Sequence, residues 1–246
     1  MSIYNTIIEK KTSKQKMFGV LIDPDNYDIN NTIKIVNICN KARVNFILIG
    51  GSLLKYNNID NCIETIKANS NIPVLLFPGG TMQISYKANG ILLLSLISGR
   101  NPDMLIGKHV ESSFILKNSN LEIIPTGYIL IDGGKITSVQ YISNTIPIPA
   151  DKANLVVATA LAGEMLGLKI IYLEAGSGAL NPVPPSVIQK IHKYVNLPII
   201  VGGGIKKPET AKAACDAGAD IIIVGNSIEQ NPNLIFDISN TICEYK

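Results

Sequence analysis

Eight short apolar runs, separated by stretches of helical periodicity, constrain this chain more than any other feature. The runs cover residues 18–22, 46–49, 74–77, 91–95, 123–131, 170–173, 199–201 and 221–224. Helical patterning lies at 31–42, 60–69, 102–116, 152–166, 186–194, 208–217 and 232–244. Such alternation predicts an α/β fold with a parallel sheet. Strands covered by helices on both faces read as continuous apolar runs, as these do. Eight units in 246 residues suit a closed (β/α)8 barrel, a TIM barrel, of about 250 residues. The chain reads as a single domain over residues 1–246, with no linker or low-complexity tract.

Composition agrees. Hydrophobic residues make up 46% and mean hydropathy is +0.25. Buried strands account for this, because no run reaches the roughly 18 apolar residues a membrane span needs. Residues 1–16 are polar and charged, unlike a signal peptide. Cys39, Cys62, Cys215 and Cys243 are widely spaced and suggest neither a disulfide framework nor a metal site. A cytoplasmic protein is expected. The net charge of +3 comes from scattered lysines, with Arg43 and Arg100 the only arginines, so no nucleic-acid partner is expected.

Two places break the alternation. After Pro78-Gly79-Gly80 the helical signal is weak, which predicts a barrel helix shortened or replaced by a loop. Residues 129–142 read as a hairpin around Asp132-Gly133-Gly134-Lys135, extending the fifth strand beyond the barrel. Pro208 and Pro232 suit first turns of helices, where a missing N–H is harmless.

The last third carries the clearest chemical signal. Three apolar runs end in small residues: Tyr172-Leu173-Glu174-Ala175-Gly176-Ser177-Gly178, Val201-Gly202-Gly203-Gly204 and Val224-Gly225-Asn226. Glycines at strand ends let backbone N–H groups approach a ligand closely. In this fold, consecutive late loops of this kind form a phosphate site on the C-terminal face. Tyr172 and Glu174 are two residues apart, so they share a strand face. Glu174 beside a phosphate site is a candidate general base, or a group that orients a substrate hydroxyl.

Asp23 follows the first run directly, in Ile22-Asp23-Pro24-Asp25. At the barrel rim it is a candidate Mg²⁺ ligand or acid/base, although Asp-Pro-Asp-Asn is also ordinary turn chemistry. Ser52, in Gly50-Gly51-Ser52 after the neighbouring second run, could share that Mg²⁺ or could cap a helix. His109 and His192 fall among polar residues of helices and read as surface groups.

Taken in order, these segments resemble the geranylgeranylglyceryl phosphate synthase / heptaprenylglyceryl phosphate synthase family. Leu76-Phe77-Pro78-Gly79 and Arg100-Asn101-Pro102 add to the likeness, which spans nearly the whole chain. Leu21-Ile22-Asp23-Pro24-Asp25 is similar to the second subgroup; the other has a lysine where Leu21 stands. The resemblance implies a modified TIM barrel and Mg²⁺-dependent transfer of a polyprenyl group to the sn-3 hydroxyl of sn-glycerol 1-phosphate. A polyprenyl diphosphate, with geranylgeranyl favoured, would be the donor, and the product would serve ether-lipid synthesis. Asp23 and Ser52 would contact Mg²⁺. Tyr172, Leu173, Glu174, Ala175, Gly176, Ser177, Gly178, Gly203, Gly204, Gly225 and Asn226 would hold glycerol phosphate. The resemblance also implies a homo-oligomer, either dimer or hexamer, and a lipid substrate makes transient membrane contact an expectation. A long prenyl tail needs an apolar groove, expected near the segment after the third strand and residues 91–94. Competing readings are another phosphate-binding barrel enzyme, such as a sugar-phosphate isomerase or lyase, and a non-catalytic phosphate-binding barrel. An isomerase would want a clearer acid/base pair on opposite strands than this sequence offers.

Overall fold

The computed structural model describes residues 2–245; Met1 and Lys246, included in the single-domain reading, lie outside them. Among the described residues, eight parallel strands close on one another in sequence order. They are β1 (Met17–Ile22), β2 (Phe46–Ile49), β3 (Val74–Leu76), β4 (Gly90–Leu96), β5 (Glu122–Leu130), β6 (Ile170–Glu174), β7 (Ile199–Gly202) and β8 (Ile221–Val224). The helices are α1 (Ile3–Thr12), α2 (Ile29–Ala42), α3 (Ile59–Asn69), α4 (Lys108–Lys117), α5 (Ser138–Ser143), α6 (Ala153–Met165), α7 (Pro185–Tyr194), α8 (Pro208–Asp216), α9 (Asn226–Gln230) and α10 (Leu234–Cys243). The (β/α)8 barrel expected from the alternation is therefore present.

Strand alternation splits the core into two layers. Phe18, Val20, Ile47, Ile49, Leu173 and Val201 face outward and pack with the helices. Met17, Leu48, Leu75, Leu92, Tyr172 and Ile223 face inward and fill the barrel. Period-2 geometry produces this division from uninterrupted apolar runs. Each fully buried Ile or Leu contributes about 1.5–3 kcal/mol relative to exposure.

The end of the barrel away from the strand C-termini is closed by α1, for which residues 1–16 give little sequence signal. Ile3 and Ile7, one turn apart, join the inner core. Glu122 accepts hydrogen bonds from Ser2 Oγ (2.6 Å), Ile3 N (2.6 Å) and Tyr4 N (2.8 Å), satisfying the helix's first turn. Near its other end, Lys11 pairs with buried Asp220 at 3.0 Å.

The segment after β3 is indeed cut down, to a single 3-10 turn at Thr81–Gln83. The hairpin expected over 129–142 does not form. β5 stops at Leu130, Ile131 makes a parallel bridge to Ile148, and 138–143 is α5. A closed barrel has no free strand edge, and β4 and β6 already occupy both sides of β5. The Asp132 turn instead docks on a neighbouring loop: Leu180 N and Asn181 N both donate to Gly133 O at 3.0 Å. Pro208 opens α8 as expected, but Pro232 lies before α10, whose N-cap is Asn233. The stretch leading into α4 is one π-helical turn, Asp103–Gly107.

Candidate active site

A cavity of about 830 Å³ opens at the C-terminal ends of the strands. Glu174, the last residue of β6, points into it and is 6% exposed. Its Oε1 accepts a hydrogen bond from Gly176 N at 2.6 Å. Burial dominates and lifts its pKa to about 7, while the Gly176 amide and the Tyr172 hydroxyl pull the other way. An uncharged or singly charged carboxyl poised near neutrality suits proton transfer at physiological pH.

The three glycine-rich loops converge around this carboxyl. Ser177 Oγ donates to Asn226 Oδ1 at 2.7 Å, tying the β6 loop to the β8 loop. Ala175 N donates to Gly202 O at 3.2 Å, tying β6 to β7. Gly203 has φ +79°, and a side chain there would meet Glu174 Oε1 and come within 2.7 Å of Gly176 N. Glycine at 203 is what lets the carboxyl and the loops share this space.

Tyr172, Glu174, Ser177, Gly178, Gly203, Gly204, Gly225 and Asn226 all line the cavity. Leu173 and Ala175 do not. Their side chains belong to the outer core against the helices, because alternate residues of a strand face opposite ways. The Gly176 amide is already spent on Glu174.

At the end of β1, the strand next to β8, Asp23 caps a 3-10 turn, accepting Asp25 N at Oδ1 (3.0 Å). It is thus both rim residue and turn former. The same oxygen lies 3.3 Å from where a Gly51 side chain would begin, so the β1 and β2 loops meet. Its carboxyl is held above the usual Asp range, first by burial and then by the charge of Asp25. Ser52 lines the cavity and caps no helix, since α3 starts at Ile59. Glu229 stands close by and is also pushed up, mainly by burial and in part by Asp23. Cys39, Cys62 and Cys215 are buried thiols pushed up to about 12 by burial, outside this chemistry.

Several residues that line the cavity or brace its loops carry no signal in the sequence pattern. Buried Gln83 donates through Nε2 to Gly51 O (2.7 Å), while Oε1 accepts from Gly51 N (3.3 Å) and Gly79 N (3.1 Å). One amide therefore holds the β2 and β3 loops in register. Phe77 stacks on Tyr172 at 5.0 Å between centroids, and Tyr128 closes the group at 5.9 Å and 5.4 Å from the two rings. Beyond this aromatic floor the wall is apolar, with Ile84, Leu93, Leu94, Met104 and Val139. His109 is not a surface group: it lines the cavity, its Nε2 3.0 Å from Leu94 O. His192 is exposed, as expected.

The sequence profile of the PcrB family matches residues 7–242. The chain belongs to the PcrB family. It is 49% identical over 240 residues to the geranylgeranylglyceryl phosphate synthase of Chitinophaga pinensis, covering 98% of this chain and 95% of that one. Against the geranylgeranylglyceryl phosphate synthase of Pyrococcus horikoshii it is 40% identical over 228 residues, covering 92% and 89%. Its fold superposes on the crystal structure of (S)-3-O-geranylgeranylglyceryl phosphate synthase from Thermoplasma acidophilum in complex with sn-glycerol-1-phosphate. The TM-score is 0.93, with 32% identity and 99% of each chain covered. Among the described residues, no helix is long and apolar enough to cross a membrane.

Proposed function

We propose that this PcrB-family protein is a prenyltransferase that moves a polyprenyl group, with geranylgeranyl favoured, from its diphosphate to the sn-3 hydroxyl of sn-glycerol 1-phosphate. The observation that carries the reading is one cavity with two chemistries. At one end a buried carboxyl is bonded to the first of three converging glycine loops, and an apolar wall runs from the other. Relatives carrying this activity in their names, at up to 49% identity, support it.

In this reading the loops at 177–178, 203–204 and 225–226 bind the acceptor's phosphate through backbone N–H groups. That leaves the glycerol hydroxyl near Glu174. The Glu174 carboxylate accepts the hydroxyl proton as the oxygen forms its bond to the prenyl C1. The C1–O bond to diphosphate breaks, and diphosphate leaves with the electron pair. Holding both substrates in one frame removes much of the entropic barrier. Burial of the prenyl tail along Ile84, Leu93, Leu94 and Met104 adds about 0.8 kcal/mol per CH₂.

Mg²⁺ belongs to the proposal. Asp23 is a half-buried carboxyl that forms no ion pair among the described residues, with Asp25 and Glu229 adding negative charge beside it. Among the described residues no three carboxylate, His or Cys groups form a cage. Mg²⁺ suits such a site, since it uses one or two protein oxygens and completes its shell with water and phosphates. Asp23 and Ser52 would hold it, and when bound it would neutralise charge developing on the departing diphosphate.

A homo-oligomer, dimer or hexamer, is part of the same reading. Exposed Leu155, Met165 and Leu166 on α6 and the turn after it, and Tyr141 on α5, support it. Transient contact with a membrane surface follows from a lipid donor.

The test is incorporation of radiolabelled sn-glycerol 1-phosphate into an organic-extractable product, with geranylgeranyl and heptaprenyl diphosphates offered separately, with and without Mg²⁺. Metal-dependent product is expected, and the preferred donor sets chain length. No product from either donor overturns the reading.

A further inference from the structure

We propose that Lys135 is the cation that neutralises the acceptor's phosphate in the glycine-loop site. The inference rests on the glycerol-phosphate reading above and assigns that site a residue outside its three loops.

The glycine loops offer N–H dipoles but no charge, and three carboxyls, Asp23, Glu174 and Glu229, line the same cavity. A phosphate dianion held there needs a cation within a few ångströms. Leu21, on β1, brings none: its Cβ lies 3.4 Å from the side-chain position of Gly225, so this flank is apolar. Among the described residues, three lysines line the cavity: Lys108, Lys135 and Lys206. Lys108 is paired with Glu111 at 3.0 Å. Among the described residues, neither Lys135 nor Lys206 forms an ion pair, so position decides between them.

The position of Lys135 is specific. Gly178, at φ +71° in the β6 loop, has a side-chain position that Lys135 Nζ approaches to 3.6 Å, with no other group beyond its chain neighbours within 4 Å. The ammonium therefore hangs over the loop that presents its N–H groups. Its backbone is fixed there as well. Gly133 O accepts Leu180 N and Asn181 N at 3.0 Å each, pinning the β5–α5 loop to the far end of the β6 loop. A side chain on Gly133 would strike Ala175 O (2.5 Å), so the two loops are in close backbone contact. The turn that fails to become a hairpin thus delivers a cation to the phosphate loop. An ammonium is a point charge suited to phosphate without demanding bidentate geometry.

The test is calorimetric binding of sn-glycerol 1-phosphate and of inorganic phosphate to the full chain, at low and high salt. The variants are Lys135→Met, Lys135→Arg and Lys206→Met. Lys135 is exposed and unpaired, so the variants fold, which thermal melts check. Lys135→Met is expected to bind both ligands about tenfold more weakly, with a shallower salt dependence than wild type. Lys135→Arg keeps the charge and stays close to wild type, and Lys206→Met loses less than Lys135→Met. In turnover, Lys135→Met raises KM for glycerol phosphate with kcat unchanged, the signature of lost uniform binding. Wild-type affinity in Lys135→Met overturns the inference while leaving the transferase reading standing. A wild-type protein that binds neither ligand sinks the transferase reading and this inference together.

Discussion

Glu174 and Gly176 form a closed unit: the carboxyl at the end of β6 accepts, at 2.6 Å, the amide of the first glycine in the loop that follows it. The candidate base is thereby held by the loop expected to bind phosphate. Anything that moves the loop moves the carboxyl. This coupling makes the cavity testable by substitutions on either partner.

Glu174→Gln keeps an acceptor for Gly176 N but cannot take a proton. In the prenyl-transfer assay kcat is expected to fall by roughly 10²–10⁴, with glycerol-phosphate affinity retained. Wild-type kcat/KM rises with pH to a plateau above the pKa of about 7. A loss below about tenfold would leave Glu174 a hydroxyl-orienting group only.

The same carboxyl makes ligand-free stability pH-dependent. Its folded pKa of about 7 exceeds the ordinary 4.5, so the unfolded chain gives up this proton first. The contribution is complete below pH 4.5, declines through the interval, and is lost above about 7. It amounts to about 3 kcal/mol. Melts of wild type and Glu174→Gln at pH 5 and pH 8 should show the gap moving in the variant's favour by roughly 5–10 °C at the higher pH. A constant gap would mean that Glu174 titrates normally.

Gly203→Ala places a methyl in clash with Glu174 Oε1, at a backbone φ of +79°. The backbone strain costs about 1–3 kcal/mol. Displacing the carboxyl lowers kcat by roughly 10²-fold, as ångström-scale misplacement does. Denaturant titration and the transfer assay read the two effects separately. Retention of full activity would show that the carboxyl need not stay where it is.

Asp23→Asn removes the charge proposed to hold Mg²⁺ while keeping an acceptor for Asp25 N. Mg²⁺-dependent binding of the prenyl diphosphate is expected to weaken at least about tenfold. Affinity for sn-glycerol 1-phosphate, held by the glycine loops, is expected to change less than donor affinity. Titration calorimetry with each substrate measures both. Equal donor affinity in the variant would remove Asp23 as a metal ligand.

Most of the barrel was legible because its signals are local and repeated. Apolar runs marked the strands, and glycines after β6, β7 and β8 marked the loops proposed to hold phosphate; Gly178, Gly203, Gly204 and Gly225 line one cavity, as does Asp23 at the end of β1. Even the loss of a helix after β3 showed as weak periodicity over a few residues. Closure of the barrel was not local. It left β5 no open edge, so the chain after Leu130 became a loop and α5 despite good hairpin chemistry. Strand direction sent Leu173 and Ala175 into the outer core, away from the cavity that their neighbours line. Gln83 came to brace the site, and Lys135 to line it, through contacts with residues 32 and 43 positions away, Gly51 and Gly178. No local pattern encodes such pairings, because they exist once the chain has closed on itself and each loop has found its neighbour.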